Sequence, residues 1–286
     1  MRTQFVTPEE YANAAFEIAA RTDIGNGVLP DRFMRMMKEN RGSINQFSPY
    51  GSSEDGLERK NPLIVALGDS VTAGHFEFTG DPLKLYAKLE EGPIDEDFAI
   101  EITDARECYL EKFRLYLIDK YEQTSVSTIN SGIAGDTMYG MKNRVYRDVV
   151  RYQPDLVIIN GSLNWGKECG DTNAYQKVLT ETVKIIKNET KADVILLTPN
   201  MMLMPDMLLN PISSLDERVE VIRKLADAEG ICLADAYKVW KAYEAAGYPV
   251  EKLLANGTNH PSTAGHELYA WVLMKLFDNQ EHRSLM

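Results

Sequence analysis

Leu63-Ile64-Val65-Ala66-Leu67-Gly68-Asp69-Ser70 is a short apolar run that ends in a polar turn carrying one hydroxyl. The run is apolar enough to be a strand covered on both faces, which is the signature of a parallel sheet. Val71-Thr72-Ala73-Gly74 then suits a turn into a helix, so Ser70 falls at the carboxyl end of a strand, where open α/β sheets bind their ligands. Gly, Asp and Ser are also ordinary residues of a strand-ending turn, so the tripeptide needs support from elsewhere in the chain.

From Leu63 onward, strand-length apolar runs alternate with helical periodicity. The runs predict strands at Leu63–Leu67, Val126–Ile129, Leu156–Ile159, Val194–Leu197 and Ile231–Leu233. Helices are predicted at Cys108–Tyr121, Met138–Tyr152, Asn173–Asn188, Leu215–Ala228 and Thr263–Leu276. Five parallel strands with helices on both faces make a three-layer α/β/α sandwich. Residues 1–60 read as a helical N-terminal extension packed on a main domain of residues 61–286. Thr7-Pro8-Glu9-Glu10 starts one helix and Asp31 another, whose Phe33, Met34, Met36 and Met37 form an apolar stripe suited to packing. Arg41 to Asn61 is polar and Gly/Ser-rich, as a linker or surface loop is. His75 to Arg106 is an acidic insertion, read as a solvated loop or as a lid beside Ser70.

The chain has 286 residues, a formal charge of -12 and 44% hydrophobic residues. A strongly acidic balance argues against nucleic acid and anionic membranes as partners, since both need a basic footprint. No run of 18 apolar residues appears, and Pro8-Glu9-Glu10 stands where an export signal needs an apolar core, so a cytoplasmic protein is expected. Cys108, Cys169 and Cys232 are widely spaced, without the pattern of a disulfide framework or a zinc site. No metal or cofactor is expected.

Three further segments carry chemistry. Asn130-Ser131-Gly132-Ile133-Ala134-Gly135-Asp136-Thr137 follows the second strand and opens a helix, whose N–H groups suit a developing oxyanion. Pro154 through Asn164-Trp165 is another strand ending in a polar turn, with a side-chain amide donor at Asn164. Asn256-Gly257-Thr258-Asn259-His260-Pro261 places an imidazole in a loop before the last helix.

In this order and spacing the segments resemble the four blocks of the SGNH (GDSL) hydrolase family, over about Leu63 to Leu276. The resemblance implies the SGNH hydrolase fold, with a flavodoxin-like five-stranded parallel sheet, and esterase chemistry. It implies Ser70 as nucleophile, His260 as general base, and an oxyanion hole from the Ser70 and Gly135 N–H groups with the Asn164 side chain. Two departures stand out. Ser162 and Trp165 replace the glycine and aspartate usual around Asn164, and Gly257 stands three residues before His260, where the family carries its triad aspartate. The amide of Asn256 or a backbone carbonyl near Gly257 is then the candidate to orient His260, with Asp235 a remote alternative. Asp69 reads as a turn-fixing residue and His266 as packed in the closing helix.

Trp165, His75 and Met201 are candidates to line the pocket, with Tyr139 and the loop from Asn200 to Met207 as further walls. The expected partner is a small ester, and the favoured reading is a short-chain O-acetylesterase acting on acylated oligosaccharide. An acyltransferase on the same scaffold, a lipolytic esterase and a non-catalytic SGNH-like binding protein are the alternatives. Homo-oligomerisation is left open.

Overall fold

β1 (Leu63–Gly68) is the centre of the fold. It pairs in parallel with β4 (Ser127–Gly132) on one side and β5 (Leu156–Asn160) on the other, and β6 (Asp193–Leu197) and β7 (Cys232–Ala234) continue the sheet. The spatial order is β4-β1-β5-β6-β7, the flavodoxin-like order for five strands. Because the chain steps from β1 to one neighbour and then crosses to the other, the connections after these strands part above β1. That crevice is where such sheets hold ligands. Gly68 is in register with Gly132 and Asn160, which brings the ends of three strands to one level. This computed structural model describes residues 7–40, 61–78, 101–122, 125–203 and 209–278.

Side-chain alternation along the buried strands builds two cores. Ile64, Ala66, Ile158, Ile195 and Leu197 face α1 (Pro8–Arg21), α2 (Asp31–Asn40), α4 (Tyr109–Lys120), α8 (Ala236–Ala245) and α9 (Thr263–Asp278). Val65, Leu67, Val157, Ile159 and Leu196 face α5 (Met138–Asp148), α6 (Thr172–Glu189) and α7 (Leu215–Glu229). The result is the predicted three-layer α/β/α sandwich. Each fully buried aliphatic side chain contributes roughly 1.5–3 kcal/mol of transfer free energy, so the double-sided burial of β1 and β5 leaves both strands intolerant of polar change.

The observed elements differ from the sequence reading in four places. β4 runs three residues further than expected, because Asn130 satisfies its own strand end: its Nδ2 donates to the Thr72 carbonyl at 2.7 Å and its Oδ1 accepts the Gly132 N–H at 3.0 Å. α5 stops at Asp148 and passes through Val149 into a 3-10 turn at Val150–Tyr152. α8 was not expected, although Asp235 caps it by accepting the Lys238 N–H. The ends of the acidic insertion form an antiparallel ribbon of β2 (His75–Phe78) and β3 (Glu101–Thr103). Residues 79–100 of that insertion, where a lid or loop was expected, lie outside the described residues, as do residues 41–60.

α1 begins with a full capping box between Thr7 and Glu10, as the sequence predicts. It packs on α8 and α9, and Lys275 of α9 donates to the carbonyls of Ala19, Ala20 and Thr22, satisfying the open C-terminal end of α1. In α2, Phe33, Met34 and Met37 are buried in the core. Among the described residues no helix is long and apolar enough to cross a membrane.

Candidate active site

Ser70 opens the one-turn helix α3 (Ser70–Ala73), directly above the end of β1. Asp69 caps this turn, its Oδ1 accepting the Val71 N–H at 3.0 Å, which is the turn-fixing role expected of it. The turn is clamped from both sides. Thr72 shares a 2.9 Å hydrogen bond with the Tyr109 hydroxyl. Gly132 presses against it so closely that a Cβ there would lie 2.1 Å from the Ala73 nitrogen, so only glycine fits.

His260 comes to Ser70 from the loop before α9, with Nε2 at 2.9 Å from the serine Oγ. Both residues are buried, at 4% and 7% exposure, which keeps bulk water from competing for the contact. The loop is built by Asn256, whose Oδ1 accepts the N–H groups of Thr258, Asn259 and His260 at 3.0, 3.0 and 2.9 Å. A bridge between Leu254 and Pro261 closes it, and the Asn200 Nδ2 donates to the Asn259 carbonyl at 2.8 Å. Asn256, expected to hold the imidazole, thus holds the main chain that carries it. Gly257 takes a left-handed φ of +68° at the tip. Asp235 does not serve the histidine: its oxygens accept from Arg223, Thr198 and the Lys238 N–H.

Across the crevice, Gly135 lies in the exposed turn between β4 and α5. Asn164, following β5, donates from Nδ2 to the Asp136 carbonyl at 3.1 Å, which leaves the second amide hydrogen for a ligand. The strand order therefore brings the predicted Ser70, Gly135 and Asn164 segments to the same end of adjacent strands.

Two expected pocket residues are corrected. Trp165 is only 1% exposed, with Nε1 donating to the Gly170 carbonyl at 2.9 Å and its ring edge-on to Tyr175. Met201 is packed into the core with α9. The open ring is Tyr139, 42% exposed and stacked on Trp165 with centroids 5.2 Å apart. His75 is half-buried, its ring 5.7 Å from that of His260, so it does border the site. Residues 204–207 of the proposed wall lie outside the described residues.

Burial dominates the electrostatics. It pushes the Asp69 carboxyl up to about 6, against the opposing pull of the Val71 N–H and the charge of His260. It drives His266 down to about 3, so that imidazole is a neutral packing group over Tyr109. Cys108 and Cys232 are pushed up to about 12 by burial and are inert as nucleophiles. Among the described residues no group of three His, Cys, Asp or Glu side chains converges as metal ligands do.

A serine on a rigid turn with an imidazole within hydrogen-bond reach is the centre of an acyl-transfer site. Comparison with known proteins agrees. The sequence model of the GDSL-like lipase/acylhydrolase family matches residues 66–268. An acetylxylan esterase of Geobacillus stearothermophilus is 25% identical over 165 residues, covering 54% of this chain and 74% of that protein. The crystal structure of a lipase/acylhydrolase from Enterococcus faecalis superposes with a TM-score of 0.55 at 22% identity, covering 75% of this chain and 94% of the other. LAE5, an alpha/beta hydrolase from the Lake Arreo metagenome, gives 0.55 at 22% identity, with 76% and 95% covered. These two structures share the fold.

Proposed function

The chain belongs to the GDSL-like lipase/acylhydrolase family and is a carboxylic ester hydrolase, and from that premise we propose that it removes short acyl groups, acetyl foremost, from carbohydrate through an acyl-enzyme on Ser70. The observation that carries this reading is the 2.9 Å contact between His260 Nε2 and Ser70 Oγ. As Oγ attacks the ester carbonyl carbon, Nε2 takes its proton. The oxyanion forms facing the Ser70 and Gly135 N–H groups and the Asn164 amide. Collapse expels the sugar oxygen, which takes the proton back from His260, and water attacks the acyl-enzyme by the same route in reverse roles. With glycine at 257, Asp69 is the buried carboxylate whose charge acts on His260.

The sugar reading draws support from the exposed Tyr139 ring, an apolar platform of the kind that stacks on a pyranose, and from the acetylxylan esterase relative. The three buried free thiols support a reducing compartment, hence a cytoplasmic enzyme acting on oligosaccharide fragments. The test compares p-nitrophenyl acetate, p-nitrophenyl decanoate and acetylated xylo-oligosaccharide as substrates for the wild type and Ser70→Ala. Acetyl esters are expected to be cleaved fastest, with Ser70→Ala inert and unlabelled by a fluorophosphonate. Faster cleavage of the decanoate, or equal activity of the variant, would sink the proposal.

A further inference from the structure

Arg144, in the middle of α5, is 8% exposed and turns its whole guanidinium inward. Nε donates to Asp136 Oδ2 at 2.7 Å, and Nη2 to the Gly68 carbonyl at 2.9 Å. Nη1 reaches the Ser131 carbonyl and hydroxyl at 2.8 Å each and Asp148 Oδ2 at 2.7 Å. The Gly68 carbonyl also accepts the Ile133 N–H at 3.1 Å, so the nucleophile strand and the Gly135 loop meet on the oxygen that Arg144 holds. At the far end, Asp136 Oδ1 accepts the Thr137 N–H at 2.9 Å, and its carbonyl accepts from Asn164 Nδ2. One planar cation thus joins the end of β1, the end of β4, the loop after Gly135 and, through Asp136, the Asn164 amide.

We propose that Arg144 is a positioning residue for ester hydrolysis, setting the Gly135 loop and the Asn164 amide against the Ser70 turn so that the three donors converge on the oxyanion. The inference rests on the assignment of those donors made above, and adds a residue that touches neither substrate nor reacting atoms. Stability alone does not call for this arrangement. A buried cation with its partners often stabilises no better than apolar side chains of the same volume, and what it adds is fixed geometry. Arginine suits the task because its fork directs several donors in one plane, where lysine offers a single mobile point. Its carboxylate partner is held in the charged form in turn: Asp148 lies well below the usual carboxylate range, by Arg147 first and by Arg144 and Ser131 as well. Oxyanion donors are useful only within a few tenths of an ångström of their target, and a misplacement of about 1 Å costs on the order of 100-fold in rate.

Arg144→Lys and Asp136→Asn are compared with wild type, and Val145→Ala serves as a destabilised control, since Val145 is buried on the same helix with an apolar side chain outside the hydrogen-bond network. With p-nitrophenyl acetate, both network variants are expected to lose about 30- to 100-fold in kcat with KM within about threefold, the pattern of an interaction realised in the transition state. Affinity for a trifluoromethyl ketone, whose adduct carries the oxyanion, should fall in parallel. Val145→Ala should lose thermal stability and keep kcat. If Arg144→Lys fails to fold, Asp136→Asn decides alone. A kcat near wild type in either folded network variant, or an equal kcat loss in Val145→Ala, overturns the proposal. An inactive wild type, or an active Ser70→Ala, would instead overturn the functional reading beneath it.

Discussion

Asn256 Oδ1 accepts the backbone N–H of His260 at 2.9 Å, and the same oxygen takes the N–H groups of Thr258 and Asn259. One side chain therefore sets the path of the loop that delivers the imidazole to Ser70. Asn256→Ala strands three N–H groups near the protein interior, at a cost of roughly 1–3 kcal/mol for each one that water does not reach. The expected outcome is a lower Tm together with at least a tenfold loss of kcat on p-nitrophenyl acetate. An unchanged kcat would show that Leu254–Pro261 pairing and Asn200 suffice to hold His260.

Asp69 ties stability to pH. Its carboxyl stands at about 6 in the folded protein against 3.8 as the reference value, so in that window the folded state keeps a proton that the unfolded chain has lost. Stability attributable to this group therefore falls as pH rises from about 4 to about 6 and is level above. Two pKa units correspond to about 3 kcal/mol. Asp69→Asn keeps the oxygen that caps α3 and removes the penalty, so urea unfolding at pH 8 is expected to show a gain of up to that size, shrinking toward pH 4. Turnover should fall, because the charge acting on His260 is gone. A variant less stable than wild type at pH 8 would contradict the account.

Asn164 offers the oxyanion its only side-chain donor in the proposed site. Asn164→Ala is expected to lower kcat about 100- to 1,000-fold with little change in KM. Steady-state kinetics on p-nitrophenyl acetate measure it, and a loss below tenfold would remove Asn164 from the oxyanion hole.

The strand run at Leu63, the parallel sheet and the Ser70–His260 pair were legible because each depends on local pattern: apolar runs of strand length, a polar turn, a histidine before a helix. Residues whose role depends on distant partners were not. Arg144 and Asp148 are four apart on a helix, which reads as a solvated surface pair, and nothing in the sequence shows that Gly68 and Ser131 converge on the same guanidinium. Trp165 sits beside Asn164 in sequence, yet its ring turns back under Tyr139 into the core, because adjacent residues in an irregular turn need not share a face. α8 carried an ordinary start signal in Asp235, which the weak strand before it obscured.

Tyr139 presents an exposed ring held flat on Trp165. An aromatic contact of this kind contributes ~1 kcal/mol, about fivefold in affinity. Tyr139→Ala is expected to raise KM for acetylated xylo-oligosaccharide by about that factor, with kcat/KM for p-nitrophenyl acetate within about twofold, and Tyr139→Phe should restore the oligosaccharide value. Equal effects on both substrates would mean that the ring supports the fold, not the sugar.

Gly257 occupies the position at which the family's aspartate stands, and a Cβ built there meets nothing within 4 Å. Its φ of +68° costs an L-residue about 1–2 kcal/mol, and aspartate is among the side chains that bear it best. Gly257→Asp is therefore expected to fold, with a modest loss of Tm. A carboxylate beside His260 stabilises the imidazolium that forms as Ser70 gives up its proton, so kcat on p-nitrophenyl acetate is expected to rise. An unchanged kcat would show that the turn at 257 points its side chain away from the histidine.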